Sequence, residues 1–94
     1  MDDDLICPVC GYPDLSQPPY DDHGDPSYEI CACCGFEFGY DDAVRDYSFE
    51  RYRDEWIANG FEYRRKPAPK SWSERRMRQQ LENVERTDWH PILL

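Results

Sequence analysis

CPVCGY, at residues 7–12, returns as CACCGF at residues 31–36, and this repeated pattern decides the fold. Each copy is Cys-x-x-Cys-Gly followed by an aromatic residue. The glycine permits the positive φ that turns backbone amides toward the sulfur atoms. Such a turn, here called a knuckle, places two sulfurs on the same side of one tight loop. The chain therefore has two knuckles that can present four thiolates together.

The cysteine spacing is typical of a zinc site. Cys7 and Cys10 are separated by two residues, as are Cys31 and Cys34, and twenty residues lie between the pairs. Paired CxxC motifs in a reducing compartment indicate metal binding before disulfides. Four cysteine ligands leave no open position for water, so we predict one structural Zn²⁺ held by Cys7, Cys10, Cys31 and Cys34.

A fifth cysteine, Cys33, competes for one of these positions. The repeat, with its shared glycine, favours Cys31 and Cys34 as the ligands. Cys33 is then interpreted as a small side chain packed beside the site, and the alternative is a reactive thiol.

The chain of 94 residues is long enough for one compact unit. Residues 28–30 lead into the second knuckle, and aromatic residues alternate over 36–40, a pattern that predicts the strands of a β-hairpin. We therefore expect a small α+β fold: an acidic zinc ribbon over residues 1–47, with two knuckles on short β-hairpins, followed by two α-helices in an extension, residues 48–94, packed on it.

Two segments of the second half have helical periodicity. Residues 49–59 place apolar side chains on one face, with Ser48 as N-cap and Gly60 as the stop. Ser71 and Glu74 form a capping-box pattern that predicts a second helix near 72–86. The prolines of segment 63–70 predict an extended linker. The apolar tail, residues 89–94, is expected to dock on this chain or on a partner.

Charge divides the chain unevenly. Residues 1–47 carry twelve acidic residues and one basic residue, a net charge of −11, whereas residues 48–94 have a net charge of +2. An acidic surface of this kind steers basic partners, so we hypothesise a protein-interaction module, of the immunity or antitoxin type, that inhibits a basic partner such as a nuclease. The alternative is that these acids only keep a small protein soluble. The candidate contacts are Asp21, Asp22, Asp25, Asp41 and Asp42.

Residues 64–78 have a net charge of +6 and form a basic strip, which suggests a nucleic-acid-binding or transcription-linked protein as an alternative. In that hypothesis the bases contact phosphates and an aromatic ring stacks on a nucleobase. The competing interpretation is that the strip packs on the acidic half or is a solvated helix face. The candidate residues are Arg64, Arg65, Lys66, Lys70, Trp72, Arg75, Arg76 and Arg78.

Catalytic motifs do not occur in the sequence, which contains no glycine-rich phosphate loop, nucleophile elbow or HExxH. His23 is interpreted as part of a solvated acidic turn and His90 as a packing residue of the tail. We therefore expect no enzymatic activity. The sequence also has no apolar run of membrane-spanning length and no basic signal-peptide start, so a cytoplasmic protein is expected.

Two phrases, ICPVCGY from residue 6 and PSYEICACCGFEFGYDD from residue 26, resemble the cysteine-rich CPCC-type family of small bacterial proteins. The resemblance covers most of residues 6–84 and includes SFERYRDEWIANG in the helical half. It implies a zinc-ribbon fold with ligands at Cys7, Cys10, Cys31 and Cys34, and no activity. The sequence departs from the family where Val9 stands in place of the second cysteine of the CPCC motif, which implies that the extra thiol is not an obligatory ligand.

Overall fold

The structure is a computed structural model that describes residues 3–87. Its helices are a short 3-10 helix (Asp3–Leu5), α1 (Phe49–Ala58), α2 (Glu74–Leu81) and a second 3-10 helix (Glu82–Arg86) that continues α2. The segments predicted as helical are therefore helical. The predicted tail, residues 89–94, and His90 lie outside the described residues.

Helix α1 begins as the sequence predicts. The side chain of Ser48 accepts a hydrogen bond from the backbone N–H of Arg51, which satisfies one of the free donors of the first turn. Trp56 is the buried residue of the helix, 8% exposed, and its indole nitrogen donates to the carbonyl oxygen of Glu62 at 3.0 Å. The chain beyond α1 is thereby folded back against the helix that precedes it.

The start of α2 was predicted two residues too early. Ser73, not Ser71, is the N-cap, and its side chain accepts from the backbone N–H of Arg76. The hydroxyl of Ser71 instead accepts from the Arg76 side chain at 3.3 Å. Met77 and Gln80 are the buried residues of α2, so the helix packs through one narrow face.

The predicted zinc ribbon with β-hairpin knuckles is wrong. Residues 3–87 contain no strand and only two isolated antiparallel bridges, Tyr20 with Pro26 and Ile30 with Glu37. An extended strand is interrupted before the second knuckle at Tyr28, whose φ of 59° is left-handed. After Glu37 the chain turns at once, since the N–H of Asp41 donates to the Glu37 carbonyl oxygen at 3.0 Å.

The core surrounds the knuckles rather than lying between two sheets. All five cysteines are buried, and Phe36, Phe38 and Met77 are fully buried beside them. The ring of Phe36 packs edge-on against those of Tyr52, with centroids 4.9 Å apart, and Phe49, at 5.5 Å. Helix α1 is thus joined to the second knuckle by aromatic contacts, and the core is built around sulfur and aromatic side chains.

Candidate metal centre

The two knuckles have the same backbone geometry. The N–H of Gly11 donates to the Cys7 carbonyl oxygen at 2.8 Å, and the N–H of Gly35 donates to the Cys31 carbonyl oxygen at 3.0 Å. Both glycines have a φ of +83°, a conformation that other residues adopt at an energetic cost. The sequence repeat therefore encodes two equivalent turns, each with its pair of cysteines on the inner side.

The four predicted ligands meet at one point. The Sγ atoms of Cys7, Cys10, Cys31 and Cys34 all lie within 4.8 Å of one another. The distance from Cys7 to Cys34 is 3.9 Å and that from Cys10 to Cys31 is 3.7 Å. Four sulfurs at about 2.3 Å from a central ion in a tetrahedron are separated by about 3.8 Å. These sulfurs are too far apart for disulfides and fit a tetrahedral metal site.

Because the four cysteines are buried, a bound cation is needed before all of them can ionise to thiolates. Burial raises the pKa of Cys7, Cys10 and Cys34. Burial also opposes the Cys31 thiolate, but hydrogen bonds from Cys10, Cys34 and Cys7 outweigh it and lower the pKa of Cys31. Four buried thiolates repel one another, so ionising all four cysteines requires a bound cation to offset that repulsion.

Cys33 lies outside the group of four sulfurs. It is fully buried, and its Sγ is 3.3 Å from the side-chain nitrogen of Gln80 in α2. Cys33 therefore faces the helical half, while its neighbours Cys31 and Cys34 face the other knuckle. The structure brings together the ligand set that the repeat favours.

Side chains of the helical half hold the first knuckle by its carbonyl oxygens. Arg53 of α1 donates to the carbonyl oxygens of Val9, at 2.6 Å, and Pro8, at 2.9 Å. Gln80 donates to the Cys10 carbonyl oxygen at 3.0 Å. Asn83 likewise donates to that of Gly11 at 3.0 Å. Sequence reasoning did not find these three residues, because nothing local distinguishes them from other polar helix residues.

The second knuckle is held by the chain that follows α1. The backbone N–H of Arg64 donates to the Cys33 carbonyl oxygen at 2.8 Å, and that of Arg65 donates to the Ala32 carbonyl oxygen at 2.9 Å. The hydroxyl of Tyr52 lies 3.3 Å from the Cys34 carbonyl oxygen. Both knuckles are therefore positioned by the second half of the chain, and the two halves share one centre.

The predicted acidic contacts separate into two groups. Asp21, Asp22 and Asp25 are exposed, together with His23. Asp21 organises their loop, because one of its oxygens accepts from the backbone N–H groups of His23, at 2.8 Å, and Asp25, at 2.9 Å. Hydrogen bonding to the backbone lowers the pKa of Asp21, and the bond from Asp25 contributes most. This loop presents its charges in a defined turn.

Asp41 and Asp42 instead bond within the fold. Asp41 is 4% exposed; its carboxylate accepts from the Glu37 N–H at 2.8 Å and from the Arg45 guanidinium at 2.9 Å. Asp42 accepts from the N–H of Gly39 at 2.8 Å. Both carboxylates stabilise the turn that replaces the predicted second strand.

The basic strip lies largely on the surface, with its aromatic residue engaged internally. The indole nitrogen of Trp72 donates to the Phe61 carbonyl oxygen at 3.0 Å, and its ring packs edge-on against Tyr63, with centroids 5.1 Å apart. Lys66 pairs with Glu62 at 3.0 Å. Arg78 pairs with Glu74 at 2.9 Å. Arg64, Arg65, Lys70, Arg75 and Arg76 are also exposed.

Two proteins of Bacillus subtilis (strain 168) are similar to this chain. The uncharacterised proteins YoaQ and YozI are each 35% identical to it, over 57% of this chain and 58% and 57% of their own lengths respectively. The chain thus spans less than two thirds of either relative. No family model matches it. No solved structure matches it significantly.

The similarity to small uncharacterised bacterial proteins agrees with the expected kind of relative, and the CPCC-type resemblance stays a resemblance. Within residues 3–87, no helix has the length and apolar character needed to cross a bilayer. A cytoplasmic location stays a prediction.

Proposed function

We propose that this protein binds one structural Zn²⁺ through Cys7, Cys10, Cys31 and Cys34, and that the metal centre holds together a protein-interaction module. The observation that carries the proposal is the buried group of four Sγ atoms, with separations of 3.7 and 3.9 Å, close to those of a tetrahedral tetrathiolate. An all-sulfur tetrahedron suits zinc or iron. Zinc is our choice because it needs no redox partner to serve a purely structural role.

A centre with four protein ligands supports shape rather than catalysis. All of its tetrahedral positions are filled, so water has no place at which to be activated. The knuckle carbonyl oxygens are also occupied, by donors such as Arg53 and Gln80. We therefore propose a non-enzymatic protein whose function resides on the surface that the metal organises.

Charge supports a basic protein as the partner. The first 47 residues have a net charge of −11, and four thiolates on one Zn²⁺ add about two negative charges. The exposed loop of Asp21, Asp22 and Asp25 presents part of this charge in an ordered turn. An inhibitor of a basic partner, of the immunity or antitoxin type, fits this distribution of charge.

Metal analysis of ligand variants tests the metal proposal. We expect about one zinc per chain in the protein as purified. Cys10→Ser should abolish zinc retention, whereas Cys33→Ser should retain it, because only Cys10 belongs to the four-sulfur group. Equal loss from both variants, or iron in place of zinc, would contradict the proposal.

Affinity capture at increasing salt concentration tests the partner proposal. Asp22→Asn with Asp25→Asn removes two exposed charges from the acidic loop, and Glu82→Gln with Glu85→Gln is the matched control on the helical half. We expect a captured protein that dissociates as salt rises and that binds the loop variant less than the control variant. A partner insensitive to salt and to both variants would refute the role of charge.

Nucleic-acid binding by the basic strip is the weaker candidate. The Trp72 ring that would stack on a base already packs against Tyr63, and its indole nitrogen is bonded to Phe61. The strong negative charge of the chain also opposes long-range attraction to phosphates. Fluorescence polarisation with single- and double-stranded DNA and RNA at low salt distinguishes the two candidates.

A further inference from the structure

In the described part of the chain, the exposed large apolar side chains all come from two neighbouring segments. They are Tyr28 (62% exposed), Ile30 (44%), Tyr40 (45%) and Val44 (69%), here called the tyrosine patch. The segments are joined by the bridge between Ile30 and Glu37 and by a hydrogen bond from the Phe38 N–H to the Glu29 carbonyl oxygen at 3.2 Å. Exposed apolar groups gathered in one place are typical of an interaction surface.

The contacts around Gly39 bring the patch together. A Cβ added at Gly39 would lie 2.7 Å from the ring of Tyr28 and 2.6 Å from Pro26, so the Tyr28 ring lies directly over this glycine. Tyr40 is the next residue, and the Val44 N–H donates to the Tyr40 carbonyl oxygen at 2.8 Å. Tyr28 therefore lies against the segment that carries Tyr40 and Val44.

The backbone holds Tyr28 in a costly conformation. Its φ of 59° is left-handed, which disfavours any residue with a Cβ. The ring nevertheless remains 62% exposed, so its burial returns little of that cost. A strained residue with an exposed aromatic ring is a candidate for function, because strain persists where the surrounding structure imposes it.

The surroundings of the patch are acidic. Residues 25–45 contain five acidic residues and one basic residue, Arg45, which pairs with Asp41 at 2.9 Å. Asp25 adjoins Pro26 at the edge of the patch, and the Asp42 carboxylate accepts from the Gly39 N–H beneath it. An aromatic face beside carboxylates favours a cationic partner, and arginine above lysine, because guanidinium groups stack on rings and pair with carboxylates.

The same combination is already used inside this molecule. The guanidinium carbon of Arg45 lies 5.0 Å from the centroid of the Tyr47 ring, and that of Arg51 lies 4.6 Å from it. Glu55 bonds both Tyr47, at 2.7 Å, and Arg51, at 3.3 Å. Tyr28 and Tyr40 present similar rings to solvent.

We propose that the tyrosine patch is the docking surface for an arginine-bearing segment of a basic protein partner, whose guanidinium groups stack on Tyr28 and Tyr40. This inference rests on the proposed interaction function and places the main contact with the partner at the tyrosine patch instead of the acidic loop. The carboxylates around the patch supply attraction at long range, and the rings supply the preference for arginine.

Peptide titration of the zinc-loaded full chain, followed by amide NMR, tests the proposal with octa-arginine and octa-lysine as probes. We expect octa-arginine to bind more tightly and to shift the amide signals of residues 28–30 and 37–44. Tyr28→Ser with Tyr40→Ser should weaken octa-arginine binding by about tenfold, from two lost ring contacts. Tyr28→Phe with Tyr40→Phe, which keeps both rings and the charge, should bind as the wild type does.

Three outcomes would overturn the inference. If octa-arginine binds the serine and phenylalanine variants equally and shifts only residues 21–25, the patch is not the surface, but the acidic module stands. If neither peptide binds at low salt, the proposed basic partner is refuted as well. If sedimentation shows a dimer that the serine variant dissociates, the occupant is a second copy of this chain.

Discussion

The side-chain amide of Gln80 donates a hydrogen bond to the carbonyl oxygen of Cys10 at 3.0 Å, joining residues 70 positions apart. The same nitrogen lies 3.3 Å from the Sγ of Cys33. Gln80 is 7% exposed, so water has little access to either contact. Helix α2 is thus attached to both knuckles by one buried side chain, and the proposed metal centre and the helical half are parts of the same folding unit.

Replacing Gln80 tests this attachment. Gln80→Met keeps the length of the side chain but leaves the Cys10 carbonyl oxygen without this donor, which should lower the free energy of unfolding by about 1–3 kcal/mol. Gln79→Met, at an exposed position of the same helix, is the matched control and should change little. Chemical denaturation of the zinc-loaded protein measures both; equal effects would show that the buried bond contributes nothing.

Arg53 offers a second test, at the other helix. Its guanidinium donates to the carbonyl oxygens of Pro8 and Val9, so Arg53→Met should lower the free energy of unfolding by about 1.5–3 kcal/mol, the range for hydrogen bonds to charged groups. Arg51→Met removes an exposed ion pair with Glu55 and should cost about 0–1 kcal/mol. Denaturation curves that rank the two variants in the opposite order would contradict this role of Arg53.

Gly11 is confined by α2 as well as by its backbone conformation. A Cβ added at Gly11 would lie 2.0 Å from the backbone oxygen of Gln80, whereas one added at Gly24 would meet nothing within 4 Å. The φ values are +83° and +81°, so alanine is similarly strained at both positions. Gly11→Ala should therefore be less stable than Gly24→Ala by about 1–3 kcal/mol, the cost of overpacking, as measured by thermal unfolding. Equal melting temperatures would mean that α2 shifts freely.

The clustering of the four cysteines and the helices could be predicted because their signals are local. The repeated CxxCG pattern defines each knuckle within six residues, and Ser48 caps α1 from the adjacent position. Such features depend on short stretches of backbone whose geometry follows from residue type. The ligand set needed only the further assumption that equivalent knuckles use equivalent cysteines.

The absence of strands from residues 3–87 and the burial of Asp41 could not be predicted, because they depend on how side chains bond and pack in the folded chain. Alternating aromatics over 36–40 suggested a strand, yet Asp41 caps a turn there by accepting from the Glu37 N–H. Asp41 is buried, so its carboxylate has a role inside the fold that the charge pattern of the sequence does not reveal. Tyr28 shows the converse, since nothing in its local sequence predicts its exposure or its left-handed φ of 59°.

Because of Tyr63, the free energy of unfolding of the protein should depend on pH in the alkaline range. Burial, followed by the neighbouring Tyr12, raises the pKa of Tyr63 to about 12 from 10.0. Its folded-state pKa lies above the unfolded value, so its contribution is complete below about pH 10 and is lost as pH rises toward about 12. Tyr63→Phe should therefore lose less stability than the wild type between about pH 10 and pH 12, as measured by urea unfolding. Parallel losses in the two proteins would contradict the shift.

Removal of the metal should unfold the helices as well as the knuckles. Side chains of α1 and α2 donate hydrogen bonds to backbone carbonyl oxygens of the knuckles. The buried residues Trp56 and Met77 also pack in the same core as the cysteines. Without the cation the knuckles lose the binding energy that holds them, which is about 10–16 kcal/mol for zinc in small finger peptides. A chelator should thus abolish the helical circular dichroism signal and the protection of α2 amides from hydrogen exchange, and added zinc should restore both.

Cys33→Ser, which leaves the four sulfurs in place, should respond in the same way, whereas Cys10→Ser should resemble the chelated protein before any chelator is added. A helical signal that survives complete removal of the metal would show that residues 48–87 fold independently of the centre.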